Sequence, residues 1–88
     1  MKIKDGFVTR TIGDRIIAIP VGSNSQNFNG MITLNETGLF IWNCLTNDTT
    51  VEEIADRIIA QYNTTKDEAI IAVNNFVDEL KASNLIEE

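Results

Sequence analysis

The sequence predicts a single α+β domain, in which a three-stranded antiparallel sheet is followed by three helices. Two observations predict this order. Up to Leu34 the chain is rich in β-branched residues or alternates in polarity, whereas from Asn35 onward apolar residues recur every three or four positions. In addition, two Thr-x-x-Glu sequences mark helix starts in the second half. The 88 residues, 43% of them hydrophobic, suffice for one modest core, so we expect one domain over residues 1–88.

The first two strands are predicted to form a hairpin. Residues 7–12 and 15–19 are rich in β-branched side chains, and only Gly13-Asp14 separates them. A glycine supplies the positive φ that primed two-residue turns require. Pro20 has no N–H to donate to a ladder, so we expect it to end the second strand or to mark a bulge.

The third strand is predicted over residues 28–34, after a polar loop at residues 22–27. Its side chains alternate between two faces. One face, expected to point into the core, holds Phe28, Gly30, Ile32 and Leu34, and the other holds Asn29, Met31 and Thr33. A meander of three strands leaves this third strand at the edge of the sheet.

The first helix is predicted to start after Asn35, which is a favourable N-cap residue. This helix is apolar nearly all round, which is typical of a central and largely buried helix. Its apolar residues are Leu39, Phe40, Ile41, Trp42 and Leu45.

The second and third helices each begin at a predicted capping box, with Thr50 and Glu53 in one and Thr65 and Glu68 in the other. Both then show an amphipathic pattern. The apolar face of the second helix holds Val51, Ile54, Ala55, Ile58, Ile59 and Tyr62. The apolar face of the third holds Ala69, Ile70, Val73, Phe76, Val77 and Leu80, and Asn84 is expected to end it.

The sequence offers no set of residues for catalysis or for metal binding. It contains no histidine and one cysteine, Cys44, so neither a Cys–His pair nor a four-ligand zinc site can form. Cys44 lies in the most apolar helix, where a free cysteine usually acts as a small core residue. The paired carboxylates Glu52-Glu53 and Asp67-Glu68 lie in first helical turns, where they suit the helix dipole. We therefore expect no catalytic residue, no metal and no cofactor.

The charge and hydropathy of the chain limit the kinds of partner that we expect it to bind. The formal net charge is −6, with seven basic residues, which disfavours the phosphate contacts on which nucleic-acid binding depends. The first residues contain no apolar run of signal-peptide length, and no stretch approaches the roughly 20 apolar residues of a membrane span. A single cysteine agrees with a reducing compartment. We expect a cytoplasmic protein that binds neither nucleic acid nor membrane.

Several short segments of the chain resemble the PqqD family in their sequence, their order and their spacing. Members of this family are related to a protein of pyrroloquinoline quinone biosynthesis. These segments are LNETGLFIW at residues 34–42, TVEEIA at residues 50–55, Tyr62, FVDEL at residues 76–80 and the closing NLIEE. The resemblance extends over residues 7–88. It implies a winged helix-turn-helix-like fold, also called a RiPP recognition element, where RiPP denotes a ribosomally synthesised and modified peptide.

The resemblance also implies a function. Members of the family act as peptide chaperones that bind the leader segment of a precursor peptide and present it to a modifying enzyme, often a radical SAM protein. The leader adds as a strand to the edge of the third strand and packs against the third helix, which here correspond to residues 28–34 and 67–83. The implied peptide-binding residues are Phe28, Asn29, Gly30, Met31, Ile32, Thr33, Val73, Phe76 and Val77.

Elementary chemistry agrees with this mapping. An edge strand has unpaired N–H and C=O groups that another strand can pair with, and pockets for alternate side chains give specificity. Gly30 leaves room for a close backbone, and Met31 adapts to varied side chains. Val73, Phe76 and Val77 would form an apolar wall, although core packing is the alternative role for each.

Other functions stay open at this stage. A winged-helix DNA-binding regulator has the same fold, but its recognition helix needs basic side chains, and the third helix here is largely acidic. A carrier protein needs a serine at a helix start, whereas Ser23 and Ser25 lie in a predicted loop and Ser83 near a helix end. The precursor, the partner enzyme and the product are undetermined. An exposed edge strand can also pair with itself, so a homodimer is a further expectation.

Overall fold

The computed structural model describes residues 1–21 and 32–87, and within these ranges it contains five strands and three helices. In chain order the elements are β1 (Lys2–Ile3), β2 (Phe7–Ile12), β3 (Arg15–Pro20), β4 (Ile32–Leu34), α1 (Glu36–Cys44), α2 (Val51–Gln61), α3 (Lys66–Ala82) and β5 (Ile86–Glu87). The chain divides into two compact units. We call Lys4–Phe40 the sheet unit, and Met1–Ile3 together with Ile41–Glu88 the helical unit.

The sheet unit is built on an antiparallel sheet with the strand order β2-β3-β4. The pairing of β2 with β3 runs from Ile12 opposite Arg15 to Phe7 opposite Pro20, which leaves a two-residue turn. Gly13 in this turn has a φ of +62°, although a side chain there would meet no other atom within 4 Å. The turn therefore needs glycine for its backbone conformation and not for space. The predicted hairpin is confirmed, and Pro20 ends its second strand.

The strand β4 is the described part of the predicted third strand. It pairs with β3 so that Leu34 lies opposite Ile16 and Ile32 opposite Ala18. Leu34 is buried and Thr33 is exposed, which confirms the predicted alternation for these residues. The rest of the predicted strand, residues 28–31, and the predicted loop at residues 22–27 lie outside the described residues.

The helix α1 starts where the sequence predicts. The backbone N–H of Gly38 donates to Asn35 Oδ1 at 2.7 Å, so the Asn35 side chain caps the helix. The helix ends at Cys44, and the N–H of Leu45 completes its last turn by donating to the carbonyl of Ile41 at 3.0 Å. Ile41, Cys44 and Leu45 are all buried, as expected for a central apolar helix.

The helices α2 and α3 begin with the same arrangement of side chains. At α2, Thr50 Oγ1 accepts from the N–H of Glu53 at 3.2 Å, as a capping box requires. The carboxylate of Glu53 does not complete the box at the backbone. It accepts instead from the hydroxyl of Thr49 at 2.9 Å, because the preceding threonine offers a donor within reach. The same contacts recur at the start of α3 among Thr64, Thr65 and Glu68.

The core of the helical unit contains the inner faces of α2 and α3, which pack against each other. The largest fully buried side chains are Ile41, Leu45, Ile54, Leu80, Leu85 and Val73, all of them in this unit. On α2, Ile54, Ala55 and Ile58 are buried, whereas Ile59 and the C-cap residue Tyr62 are exposed. Only part of the predicted apolar face of α2 therefore enters the core.

The helix α3 is the longest element, with 17 residues, and it ends at Ala82 with Ser83 as its C-cap, two residues before the predicted end at Asn84. Asn84 has a φ of +62°. Its N–H donates to the carbonyl of Lys81 at 3.0 Å, and the N–H of Leu85 donates to the carbonyl of Leu80 at 2.8 Å. This pair of bonds is a Schellman motif. In the described part of the chain, none of the helices has the length and apolar character needed to cross a membrane.

A second, two-stranded sheet joins the two ends of the chain within the helical unit. β1 and β5 pair antiparallel, with Ile3 opposite Ile86 and Lys2 opposite Glu87. The N–H of Ile3 also donates to the carbonyl of Leu45 at 2.9 Å. Both isoleucines are buried. The sequence analysis predicted that the residues after α3 fold back, but it did not predict β1 as their partner.

Candidate functional site

The strand β4 lies at one end of the sheet, because the order is β2-β3-β4. Among the described residues, β3 is its only partner strand. In an antiparallel edge strand, alternate residues direct both the N–H and the C=O away from the neighbouring strand. Thr33 is exposed and Ile32 is half-buried. The edge of β4 can therefore offer main-chain donors and acceptors to an added strand.

Four of the six strand residues predicted to bind peptide, Phe28, Asn29, Gly30 and Met31, fall outside the described residues. Their role stays a prediction. The other two, Ile32 and Thr33, lie side by side on β4 with their side chains on opposite faces.

The three helix residues predicted to bind peptide are all on α3 but differ in accessibility. Val73 is 0% exposed and Val77 is 2% exposed, so both belong to the core. Phe76 is half-buried. Of these three side chains, Phe76 is thus the one with surface that a ligand can reach in the free domain.

Phe76 has an apolar neighbour that the sequence analysis did not single out. Ala72 lies four residues earlier on α3, one turn away on the same face, and is also half-buried. Glu79, three residues after Phe76, is exposed beside them. The sequence does contain a signal for this pair. Ala72 and Phe76 are four residues apart, and both lie next to the positions of α3 that face the core.

The exposed surface of α3 is acidic. Asp67, Glu68, Asp78 and Glu79 are all exposed. Lys66, at the start of the helix, donates from Nζ to Asp56 Oδ1 at 2.5 Å, and this hydrogen bond raises the pKa of Lys66 above its usual value. Because that lysine is paired with a carboxylate, α3 has no stripe of free cations suited to phosphate groups.

The described residues contain no group of three or more His, Cys, Asp or Glu side chains placed to hold a metal ion. Cys44 is a free, buried cysteine. The described part of the chain has two features that can bind a ligand. One is a strand edge in the sheet unit, and the other is a half-buried aromatic ring in the helical unit. Both features are suited to binding a peptide.

Comparison with known proteins agrees with this character. Among solved structures, TbiB1 in complex with the TbiA(beta) leader peptide is similar to this chain, with a TM-score of 0.78 and 28% sequence identity. The similarity covers 99% of this chain and 95% of that chain. None of the curated proteins matches the chain. The family model described as coenzyme PQQ synthesis protein D (PqqD) matches residues 16–86. The chain belongs to the PqqD family.

Proposed function

We propose that this chain is a non-catalytic binding module, which recognises the leader segment of a ribosomally synthesised precursor peptide and presents it to a modifying enzyme. The observation that carries the proposal is the similarity, over 99% of the chain, to TbiB1, a protein whose structure is described with a leader peptide bound. Membership of the PqqD family supports the same function. Nothing in the structure or the comparisons favours a DNA-binding regulator.

The leader adds as a strand to the edge of residues 28–34. Two features support this mode of binding. The described strand of this segment, β4, lies at the end of the sheet. In addition, strand addition draws its affinity from main-chain hydrogen bonds, which require no particular side chain on the domain. Gly30 leaves room for a close backbone, and Met31 adapts to different leader side chains.

The helix α3 contributes an apolar contact through Phe76 and Ala72. Both are half-buried, so they offer apolar surface that a leader side chain can cover. Val73 and Val77 act indirectly in this proposal, because their burial fixes α3 within the helical unit. They hold Phe76 in place and do not touch the leader.

The chemistry is carried out by the partner enzyme, which the family resemblance suggests is often a radical SAM protein. The absence of histidine from the sequence supports a module that supplies no general base of the commonest kind. We place the function in the cytoplasm, because a leader is recognised after ribosomal synthesis. The same strand edge allows two copies of the chain to pair when no leader is present.

The direct test is a titration of the ¹⁵N-labelled chain with the leader of a precursor peptide encoded beside its gene. We expect saturable shifts of the amide signals of residues 28–34 and of those near Phe76. If no signals shift, even after the partner enzyme is added, leader recognition by this chain is contradicted.

The mode of binding is tested on the peptide itself. Each leader residue is N-methylated in turn, which removes one main-chain donor without altering the domain. Because a strand directs alternate N–H groups to its neighbour, we expect weakening by about tenfold at every second residue. The methylated residues between them serve as matched controls. A profile without this alternation would contradict strand addition while leaving leader binding itself intact.

A further inference from the structure

The hairpin of the sheet unit presents exposed apolar and basic side chains that lie outside the residues proposed to bind the leader. Val8, Arg10 and Ile12 alternate along β2 and therefore share one face. In the register of the hairpin, Ile19 lies opposite Val8 and Arg15 lies opposite Ile12. We call these five residues the hairpin patch. Val8 is 37% exposed, Ile12 is 61% exposed and both arginines are exposed, whereas Ile19 is half-buried. Ile17, which lies opposite Arg10 on the same face, is buried.

Charge is distributed unevenly between the two units. The sheet unit contains three acidic and three basic residues, whereas the helical unit contains ten acidic and four basic ones. Two of the three basic residues in the sheet unit are Arg10 and Arg15 of the hairpin patch. Neither forms an ion pair within the described residues, and neither does Asp14 in the adjoining turn. The net charge of −6 therefore arises in the helical unit, and the hairpin patch contains two arginines without an ion-pair partner among the described residues.

We infer that the hairpin patch docks onto the modifying enzyme, at a protein surface where an apolar recess is bordered by carboxylates. The inference rests on the proposed function, since a module that presents a leader must contact the enzyme as well as the peptide. β2 lies at the opposite end of the sheet from β4. A leader added at β4 therefore leaves the three patch residues of β2, Val8, Arg10 and Ile12, free, so the peptide and the enzyme can be held together.

The composition of the hairpin patch suits such a contact. Interfaces combine an apolar centre, which supplies affinity, with charged groups around it, which select the partner and speed association. Arginine is enriched among the residues that dominate binding energy. Arg10 and Arg15 flank Ile12, so a partner with carboxylates around an apolar recess matches both the shape and the charge.

The test measures binding of the purified modifying enzyme, encoded beside this chain, to the full chain and to two variants. One variant is Ile12→Ser and the other combines Arg10→Glu with Arg15→Glu. We expect each to weaken enzyme binding by about tenfold or more. Binding of the unaltered chain should also weaken as salt is added, because salt screens the arginine charges.

Matched controls lie in the helical unit. Ile71 is 60% exposed on α3, so Ile71→Ser removes the same side chain from a similarly exposed position. Arg57 is an exposed arginine of α2 without an ion pair in the described part of the chain, so Arg57→Glu reverses one charge elsewhere. We expect both controls to bind the enzyme within about twofold of the unaltered chain. All variants should bind the leader with unchanged affinity.

Several outcomes would overturn the inference. Unchanged enzyme binding by both hairpin variants, or equal weakening by the controls, would exclude the hairpin patch as the docking surface. So would self-association of the chain that Ile12→Ser abolishes without any effect on enzyme binding. If a variant loses its folded amide spectrum, the Arg10→Gln, Arg15→Gln pair replaces it. Intact leader binding in these cases would leave the proposed function standing, whereas an unaltered chain that binds no leader would overturn both.

Discussion

Phe76 is half-buried and keeps part of its surface accessible to solvent, although Val73 and Val77 of the same helix are in the core. An aromatic side chain in this position gains apolar burial when a ligand covers it, and it costs the free domain little. The partial exposure of Phe76 is therefore the property on which its proposed role depends.

Substitution of Phe76 should affect leader binding more than folding. We expect Phe76→Ala to weaken the affinity for the leader by about tenfold, because it removes apolar area worth roughly 1.5 kcal/mol. Isothermal titration calorimetry with the leader peptide measures this loss. Ile71→Ala is the control, since Ile71 is exposed on the same helix. Equal losses for the two variants would contradict a specific contact at Phe76.

Asn84 lies just beyond the C-cap of α3, in a left-handed backbone conformation with a φ of +62°. A side chain that branches at Cβ or lacks a local polar group is strained there, whereas glycine is not. We expect Asn84→Ala to lower the free energy of unfolding by about 1 kcal/mol, and Asn84→Gly to lower it less. Urea denaturation of the three proteins measures the difference. An alanine variant as stable as the glycine variant would show that the conformation is not strained.

At the scale of single residues, the sequence could predict which face of α3 a residue occupies but not how deeply it is buried. Val73, Phe76 and Val77 fit one apolar face by their spacing. The structure separates them, because Val73 and Val77 point to the centre of that face and Phe76 lies at its border. Helical periodicity contains no information on this depth, which depends on the elements packed against the helix.

The starts of α2 and α3 are stabilised by the same five-residue arrangement, in which two threonines precede a glutamate. The second threonine accepts from a backbone N–H, and the first donates its hydroxyl to the glutamate carboxylate. A carboxylate in the first turn also suits the positive end of the helix dipole. Each helix is thus fixed at its N-terminus by contacts local in sequence.

Loss of one cap should destabilise the domain by a predictable amount. We expect Thr50→Ala to lower the free energy of unfolding by about 1 kcal/mol, because an N–H at the start of α2 loses its acceptor. Thr50→Ser keeps the hydroxyl and is the matched control. Thermal denaturation followed by circular dichroism compares them. A serine variant that loses as much stability as the alanine variant would show that the methyl group, and not the cap, matters.

The sequence predicted the helices and strands that are marked by nearby residues, such as turn glycines, capping residues and a periodic apolar pattern. The hairpin followed from Gly13-Asp14 between two β-rich runs, and the helices followed from their caps and periodicity. β1 and β5 were not predicted as a pair, because two-residue strands have no periodicity and their pairing joins Ile3 to Ile86 across almost the whole chain. Such a contact is decided by tertiary packing.

At the scale of the whole molecule, the expectation of a single domain predicts one cooperative unfolding transition. Trp42 is buried in the helical unit, so its fluorescence reports on that unit. The amide of Ile17 reports on the sheet unit. We expect both signals to change at the same urea concentration, since a small single domain usually unfolds in one step.

Two separate transitions would contradict this prediction. They would show that the sheet unit and the helical unit are independently stable parts of the chain. Thr50→Ala, with its altered residue in the helical unit, should then shift the transition seen by Trp42 and leave that of Ile17 in place.

The pairing of β1 with β5 has a consequence for the way the protein is made on the ribosome. Translation proceeds from the N-terminus at about 5–20 residues per second, so Ile3 emerges several seconds before its partner Ile86 is even synthesised. The hairpin of β2 and β3, by contrast, has its whole sequence available early. The nascent chain must therefore keep its first strand unpaired until Ile86 has left the exit tunnel, and β1 can join the helical unit only then.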